Sequence, residues 1–300
     1  MELDEYQTVA ASADQVPFSP GGELKSIMVP LLGLAGESGS LLSEYKKRLR
    51  DGESYIVFKE QVREELGDLL WYIANLATKA DLSLDEIAQF NIRKIRDRWM
   101  PLSSAKLESF DANSPVTERF PRKFEIRVRE QSGGDDAAKV TLTYNGNAFG
   151  DALTDNVYVD DGYRFHDVFH LAYVAVLGWS PVMRGKSFFN CKRRSDQERD
   201  RNQDGGRAGV IDEAITALAF VEAEKYGFFE NGGSVSSTLL RTIRDVTAPF
   251  EVSSCSAADW EAAILLGFKV WRDLKREKRG VIVGDLDKKT LEFVSSRVSM

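Results

Sequence analysis

Residues 64–72 of this chain read Glu-Glu-Leu-Gly-Asp-Leu-Leu-Trp-Tyr, within a segment whose apolar residues recur at helical spacing. Glu65 and Asp68 are three residues apart, so their carboxylates lie on one face of the predicted helix. Glu37, near the start of an earlier helical segment, supplies a third carboxylate. Carboxylates on neighbouring helices repel one another unless a cation binds between them, and such oxygen ligands suit Mg²⁺ or Mn²⁺. Because Mg²⁺ commonly binds together with substrate phosphates, the pattern predicts phosphoryl chemistry.

The sequence around this stretch predicts that residues 1–100 are helical throughout. The strongest helix spans Phe58 to Ala80, and another runs from Leu24 to about Arg50 and is interrupted or bent near Pro30. A short N-terminal helix precedes them, separated by the proline- and glycine-containing segment Val16 to Gly22. A last helix begins after Ser83, which has a glutamate at the capping-box spacing. Four antiparallel helices with short connections predict a four-helix-type bundle.

The pattern changes after the first hundred residues. Residues 101–121 are polar and contain three prolines, which predicts a linker. Apolar and polar residues then alternate at 124–128 and 140–144, and again near 281–283 and 290–294, which predicts two β-hairpins in one small sheet. The helices predicted between them cover roughly residues 164–178, 208–226, 235–247 and 256–277. The chain is therefore predicted to be mainly α, with an all-α bundle at 1–100 and a mostly helical α+β domain with a small antiparallel sheet at 122–300.

The composition narrows the range of partners and compartments. Hydrophobic residues make up 43% of the chain and charged residues 29%, as in globular proteins. The net charge of -7 disfavours general nucleic-acid binding, which needs a basic surface. The longest apolar run, Leu171 to Trp179, is too short to span a bilayer, and the N-terminus lacks the regions of a signal peptide. Cys191 and Cys255 make no disulfide framework. We therefore predict a cytoplasmic protein that does not enter a membrane.

Further motifs occur in order along the first hundred residues. They are LDEYQ at 3–7, GLAGESG at 33–39, YKK at 45–47, EELGDLLWY at 64–72, and Asn91 with Lys94 and Arg98. This ordered set resembles the MazG-type, all-α nucleoside triphosphate pyrophosphohydrolase family, over essentially residues 1–100. The signature of that family is ExxE, a spacer and ExxD on two adjacent helices, followed by Asn-x-x-Lys on a later helix.

The resemblance implies Mg²⁺-dependent hydrolysis of a nucleoside triphosphate, an NTP or a dNTP, to the monophosphate and pyrophosphate. It implies that Glu37, Glu65 and Asp68 are the metal ligands. Polar residues of the later motifs would bind the substrate, and these are Lys46, Lys47, Asn91, Lys94 and Arg98. Family members pair through their helical bundles, so a homo-oligomer, a dimer or a tetramer, is expected.

Two roles stay open at the level of the residues. One more carboxylate could serve as a general base, and both Glu64 and Glu44 are candidates. Trp71 lies three residues beyond Asp68 on the predicted helix. Its indole ring would either stack on the nucleotide base or pack in the core of the bundle.

One position departs from the family pattern. Ser40 stands where the family has the second carboxylate of ExxE. A neutral hydroxyl removes one negative charge, which predicts weaker metal binding. Glu44 is one turn further on, about 6 Å along the helix axis. An alternative function is therefore a nucleotide-binding or nucleotide-sensing module that has lost turnover.

A second candidate site lies in the C-terminal part of the chain. The only two histidines, His166 and His170, are one helical turn apart with Asp167 between them. An i, i+4 histidine pair binds metal from one helix face, and Glu213 on a second apolar helix would complete the cluster. The open alternatives are hydrogen-bonded core histidines and a metal-dependent phosphohydrolase site. The arginine-rich stretch at 184–207 is predicted to be a solvated loop, with a phosphate-gripping lid as its alternative.

Overall fold

The structure is a computed structural model that describes residues 1–15, 23–99, 109–133, 136–155 and 160–295. The chain forms two compact units, Met1–Ile95 and Arg96–Met300. The predicted break at 16–22 and the first part of the predicted linker at 101–121 lie outside the described residues. The remainder of that linker, 109–121, packs into the second unit, where Phe120 and Asp111 are buried.

The first unit is helical. Its helices are α1 (Leu3–Ser12), α2 (Glu23–Asp51), α3 (Phe58–Lys79) and α4 (Leu84–Trp99), of which α4 continues into the second unit. The hydroxyl of Ser83 accepts from the backbone N–H of Glu86, as the capping pattern predicts. Helix α2 is continuous across its proline. A small core of Ala10, Ala74, Ala77 and Leu84 is buried in this unit.

The second unit contains a five-stranded antiparallel sheet. Its strands are β1 (Lys123–Gly133), β2 (Asp136–Tyr144), β3 (Asn147–Ala148), β4 (Arg279–Asp285) and β5 (Thr290–Ser295), in the order β3-β2-β1-β4-β5. The central strand β1 pairs Ile126 with Tyr144 on one side and with Ile282 on the other. The two predicted hairpins therefore share one sheet, as expected.

Further helices of this unit hold the main core, and the first and the last of them contact the sheet. They are α5 (Asp167–Leu177), α6 (Gln197–Asn202), α7 (Gly206–Glu224), α8 (Ser237–Thr247) and α9 (Ala257–Glu277). Every residue of α5 is buried. It packs closely on α9 at Gly267, where a Cβ atom would lie 2.7 Å from the ring of Phe169. The fold class, mainly α with a helical N-terminal region and an α+β second part, is confirmed.

The arginine-rich stretch is the main difference from the sequence-based expectation. Arg184 and Arg193 are buried, so the prediction of a solvated loop is wrong for these residues. Arg193 pairs with Asp204 at 2.6 Å and with Glu251 at 2.7 Å, while Arg184 pairs with Asp111 at 3.1 Å. Buried charges are tolerated because each one has a charged, hydrogen-bonded partner.

Candidate functional site

Three carboxylates converge between α2 and α3 in the first unit. Glu37 on α2 and Glu65 and Asp68 on α3 each place one oxygen within 4.8 Å of the other two. The helices approach closely because Gly33 has no side chain, and a Cβ there would lie 2.1 Å from the ring of Tyr72. Gly33 is one turn before Glu37, and Tyr72 is one turn after Asp68. This contact therefore brings the acidic faces of the two helices together.

The chemistry of this cluster fits a divalent cation. Oε2 of Glu65 is buried and has no hydrogen-bond partner. Burial raises the pKa of Glu65, and the negative charge of Glu37 and then Asp68 raises it further. A bound cation would be a partner for this buried carboxylate oxygen and would offset its repulsion from the two other carboxylates.

Glu44, one of the two candidate bases, is already engaged. Its side chain is buried, and it accepts hydrogen bonds from Nζ of Lys47 at 2.6 Å and from the phenol of Tyr55. The hydrogen bond from Lys47 lowers the pKa of Glu44 most, and the bond from Tyr55 lowers it further. The carboxylate of Glu44 is therefore turned to Lys47 and Tyr55, and Lys47 is near enough to Glu65 for their charges to interact.

The other predicted residues of the first site are spread more widely. Glu64, Lys46, Asn91 and Lys94 are exposed. Trp71 packs against the small core of the unit and meets Tyr72 edge to face, with ring centroids 4.9 Å apart.

Arg98 belongs to the second unit and is held there. Its guanidinium pairs with Glu261 at 2.5 Å and also donates to the carbonyl oxygen of Val235 at 2.9 Å. These bonds give Arg98 a structural partner on α9.

The second candidate site also converges. His166 at the start of α5, His170 on α5 and Glu213 on α7 each place one ligand atom within 4.8 Å of the other two. Asp167 is not part of this trio. Its Oδ1 lies 3.9 Å from Nε2 of His166, and its Oδ2 is buried without a hydrogen-bond partner.

Sequence reasoning missed the role of Asp212 beside this site. Its Oδ1 accepts from Nδ1 of His170 at 2.8 Å, and its Oδ2 accepts from the hydroxyl of Ser180 at 2.6 Å. Burial lowers the pKa of His170, but the charge of Asp212 and its hydrogen bond outweigh burial and raise the pKa to about 10. The available signal was the position of Asp212 at the start of a largely apolar helix, where an acidic side chain needs a buried partner.

Comparison with protein-family models gives a match in each of the two units. Residues 31–100 match the MazG nucleotide pyrophosphohydrolase domain, and residues 105–297 match the MazG C-terminal domain. The chain therefore belongs to the MazG family, and the resemblance noted for residues 1–100 is confirmed and extends through most of the second unit.

One curated relative is the Gene 37 protein of Mycobacterium phage L5. It is 34% identical over 103 residues, which are 33% of this chain and 89% of that protein. No solved structure matches the chain. Divalent metals are used generally in the MazG family, which agrees with the acidic cluster on α2 and α3.

Proposed function

We propose that the first unit hydrolyses a nucleoside triphosphate, with one water molecule, to the monophosphate and pyrophosphate. Glu37, Glu65 and Asp68 would hold a divalent ion there, Mg²⁺ with Mn²⁺ as a substitute. Such an ion would offset negative charge on the phosphoryl oxygens and would lower the pKa of bound water. The observation that carries the proposal is the convergence of the three carboxylates around the unpartnered Oε2 of Glu65.

Basic and amide side chains of the same unit would bind the substrate. Lys47 pairs with Glu44 and interacts electrostatically with Glu65, which supports a role for its ammonium in neutralising phosphate charge. Lys46, Asn91 and Lys94 are exposed and free to reach a polyphosphate or a sugar. We do not propose Arg98 as a substrate-binding residue, because its guanidinium already pairs with Glu261.

We assign the general base to Glu64 and a positioning role to Glu44. Both oxygens of Glu44 accept hydrogen bonds, and its lowered pKa makes it a weaker base. Glu64 is exposed and has one long hydrogen bond, from Gln61 at 3.4 Å. It therefore keeps oxygen lone pairs available to accept a proton from water.

The direct test is pyrophosphate release from a panel of NTPs and dNTPs with and without Mg²⁺ or Mn²⁺. Glu65→Gln is expected to abolish release, since it removes a charge from the metal site but keeps the shape of the side chain. Glu60→Gln is the matched control, because Glu60 is an exposed carboxylate in the first turn of the same helix. Full turnover in the Glu65 variant would rule out the metal role.

Ser40 favours a second candidate function, nucleotide binding without turnover. Ser40 lies on α2 within one turn of Glu37, and the oxygens of Glu44 are turned to Lys47 and Tyr55. The site therefore has three carboxylates where the family signature has four. Calorimetric binding of a nucleotide with no pyrophosphate release would identify the chain as a sensor.

We further propose that the protein is a soluble homodimer that pairs through the first unit. Leu42 and Leu49 lie two turns apart on α2 and are 71% and 87% exposed, while the core of the unit is small. A helical unit that buries so little apolar surface gains stability by association.

The same exposed surface explains why one helix of the described chain resembles a membrane span. The stretch Leu24–Ser54 is long and apolar enough to cross a bilayer by length and composition, and only 11% of its most apolar window is buried. It also carries Glu37 and Glu44, whose carboxylates face α3 or are paired with a lysine. Charged groups are costly inside a bilayer, so we propose that a protein surface, and not lipid, covers this helix. We also propose that the protein is cytoplasmic.

A further inference from the structure

We propose that the second unit contains a binding site for a divalent transition-metal ion, formed by Nε2 of His166, Nε2 of His170 and the carboxylate of Glu213. This site is separate from the acidic cluster of the first unit and has a different ligand chemistry. It goes beyond the pyrophosphohydrolase activity proposed above.

Both histidine rings are oriented with the same nitrogen available. Nδ1 of His166 lies 2.9 Å from the carbonyl oxygen of Tyr163, and Nδ1 of His170 lies 2.8 Å from Oδ1 of Asp212. Both oxygens can only accept, so each Nδ1 carries a hydrogen, and Nε2 is the nitrogen from which a metal ion would displace a proton. Metal-binding histidines show this arrangement, in which a carbonyl or carboxylate holds the ring nitrogen opposite the ligand atom.

The carboxylate that orients His170 is itself fixed. Oδ2 of Asp212 accepts from the Ser180 hydroxyl at 2.6 Å and from the backbone N–H of Val182 at 3.2 Å. The ring of His166 is stacked on Tyr163, with centroids 4.6 Å apart and planes 11° from parallel. The two imidazoles are therefore held in place before any ion binds.

The separation of the ligand atoms fits one ion. Nε2 of His170 lies 3.3 Å from Oε2 of Glu213 and is not aligned for a hydrogen bond with it. Nitrogen and oxygen ligands about 2.0–2.2 Å from one tetrahedral ion are about 3.3–3.6 Å apart. All three ligand atoms lie within 4.8 Å of one another, so side-chain rotations would bring them to the distances that one ion requires.

The burial of His170 supplies an independent reason for a ligand. Its side chain is fully buried, and Nε2 has no hydrogen-bond partner. A buried polar atom without a partner is costly, and a metal ion would satisfy it. Oδ2 of Asp167 is a second buried polar atom without a hydrogen-bond partner, and Oδ1 of the same carboxyl lies 3.9 Å from Nε2 of His166, so a cation would be favoured here.

The residues also indicate the kind of ion and the kind of site. Two imidazoles and one carboxylate suit Zn²⁺ and its first-row neighbours, while Mg²⁺ prefers oxygen ligands and water. Glu213 is 49% exposed, so the ion would be reached from solvent on that side. Three protein ligands with one open position form a site that is able to bind water or a substrate oxygen.

The competing interpretation is a structural histidinium held between Asp212 and Glu213. The test uses the full-length Glu65→Gln protein, in which the first site is disabled, stripped with chelator and titrated with Zn²⁺ by calorimetry. About one equivalent of Zn²⁺ per chain is expected, with affinity at least ~10-fold lower in His166→Gln and in Glu213→Gln. Glu224→Gln is the matched control, because Glu224 is an exposed carboxylate on the same helix.

A second measurement keeps the test independent of the variants' stability. The chain has two histidines, so ¹⁵N-histidine spectra of the unaltered protein contain only two imidazoles. Zn²⁺ is expected to shift both Nε2 signals and leave the Nδ1 protons in place. Unchanged imidazole signals, or equal Zn²⁺ binding in His166→Gln and Glu213→Gln, would overturn the proposal. Loss of pyrophosphate release in Glu65→Gln with retained Zn²⁺ binding separates this site from the proposed function.

Discussion

The ring of Tyr72 on α3 packs directly against the backbone of Gly33 on α2. A Cβ atom at Gly33 would lie 2.1 Å from the nearest ring carbon, which is far inside van der Waals contact. The contact lies one helical turn from Glu37 on one side and one turn from Asp68 on the other. It therefore sets the distance between the helices that carry the acidic cluster.

Gly33→Ala is expected to move α2 away from α3 and to weaken both stability and activity. Overpacking a helix contact costs about 1–3 kcal/mol, and the same displacement would separate Glu37 from Glu65. Denaturant unfolding and pyrophosphate release measure the two effects. Gly39→Ala is the control for stability, because nothing lies within 4 Å of a Cβ there and alanine favours the helix by up to about 1 kcal/mol. Equal stability of the two alanine variants would show that the Tyr72 contact does not limit the helix separation.

Divalent metal is expected to stabilise the protein through the acidic cluster. At about 100 times its dissociation constant, a ligand that binds only the folded state adds about 2.7 kcal/mol. Mg²⁺ should therefore raise the melting temperature of the unaltered protein and of Glu60→Gln after chelator treatment. In Glu65→Gln that increase should be largely lost. An equal increase in all three proteins would place the bound Mg²⁺ elsewhere.

The buried ion pairs of the second unit predict a pH-dependent loss of stability. Burial raises the pKa of Asp111, but hydrogen bonds from Ser109, the Phe120 N–H and Arg122 outweigh it and lower the pKa to about 2. The stability from Asp111 is therefore present above its unfolded pKa of 3.8 and is lost as the pH falls through 2. Asp111→Asn should lower the unfolding free energy by about 2 kcal/mol at pH 7.

The difference between this variant and the unaltered protein should shrink between pH 4 and pH 2. Tryptophan fluorescence is a suitable measure, since Trp179, Trp260 and Trp271 are buried in the second unit. Asp287→Asn, at an exposed aspartate of the same unit, is the control. A constant difference across this pH range would contradict the role of ionised Asp111.

Local patterns predicted most of the elements of this fold. The periodic segment from Phe58 to Ala80 forms α3 at Phe58–Lys79, and Ser83 caps α4 as its spacing indicates. Both hairpins follow from period-two alternation. These features are encoded within a few residues of one another, which is why a single sequence reveals them.

Contacts between distant parts of the chain were not predictable in the same way. Asp111 and Arg184 are 73 residues apart, and Arg193 and Glu251 are 58 residues apart. An arginine-rich stretch has the same composition whether its charges face water or buried carboxylates. The convergence of Glu37 with Glu65 was expected from the family motif, while the support that Asp212 gives His170 depends on how α7 packs on α5.

The exposed apolar surface of α2 predicts the oligomeric state. Light scattering after size exclusion is expected to give a dimer for the unaltered protein and a monomer for Leu42→Glu/Leu49→Glu, because two buried charges would oppose association. Val116→Glu is the control, at an apolar residue of the second unit that is 80% exposed. A monomeric unaltered protein would refute the dimer.

Ser40→Glu distinguishes a weak enzyme from a nucleotide sensor. The substitution restores the fourth carboxylate of the family signature on α2, one turn from Glu37, and should tighten Mg²⁺ binding because it adds a negative charge to the site. If the chain is a weakened hydrolase, pyrophosphate release should rise at least ~10-fold at limiting Mg²⁺, which corresponds to about 1.4 kcal/mol of transition-state stabilisation. Ser40→Gln, which has the same length without the charge, should show no such gain. A rise in both variants would show that side-chain packing on α2 causes the effect. Nucleotide binding with no turnover in either variant would identify a sensor, because restoring one charge would then not restore hydrolysis.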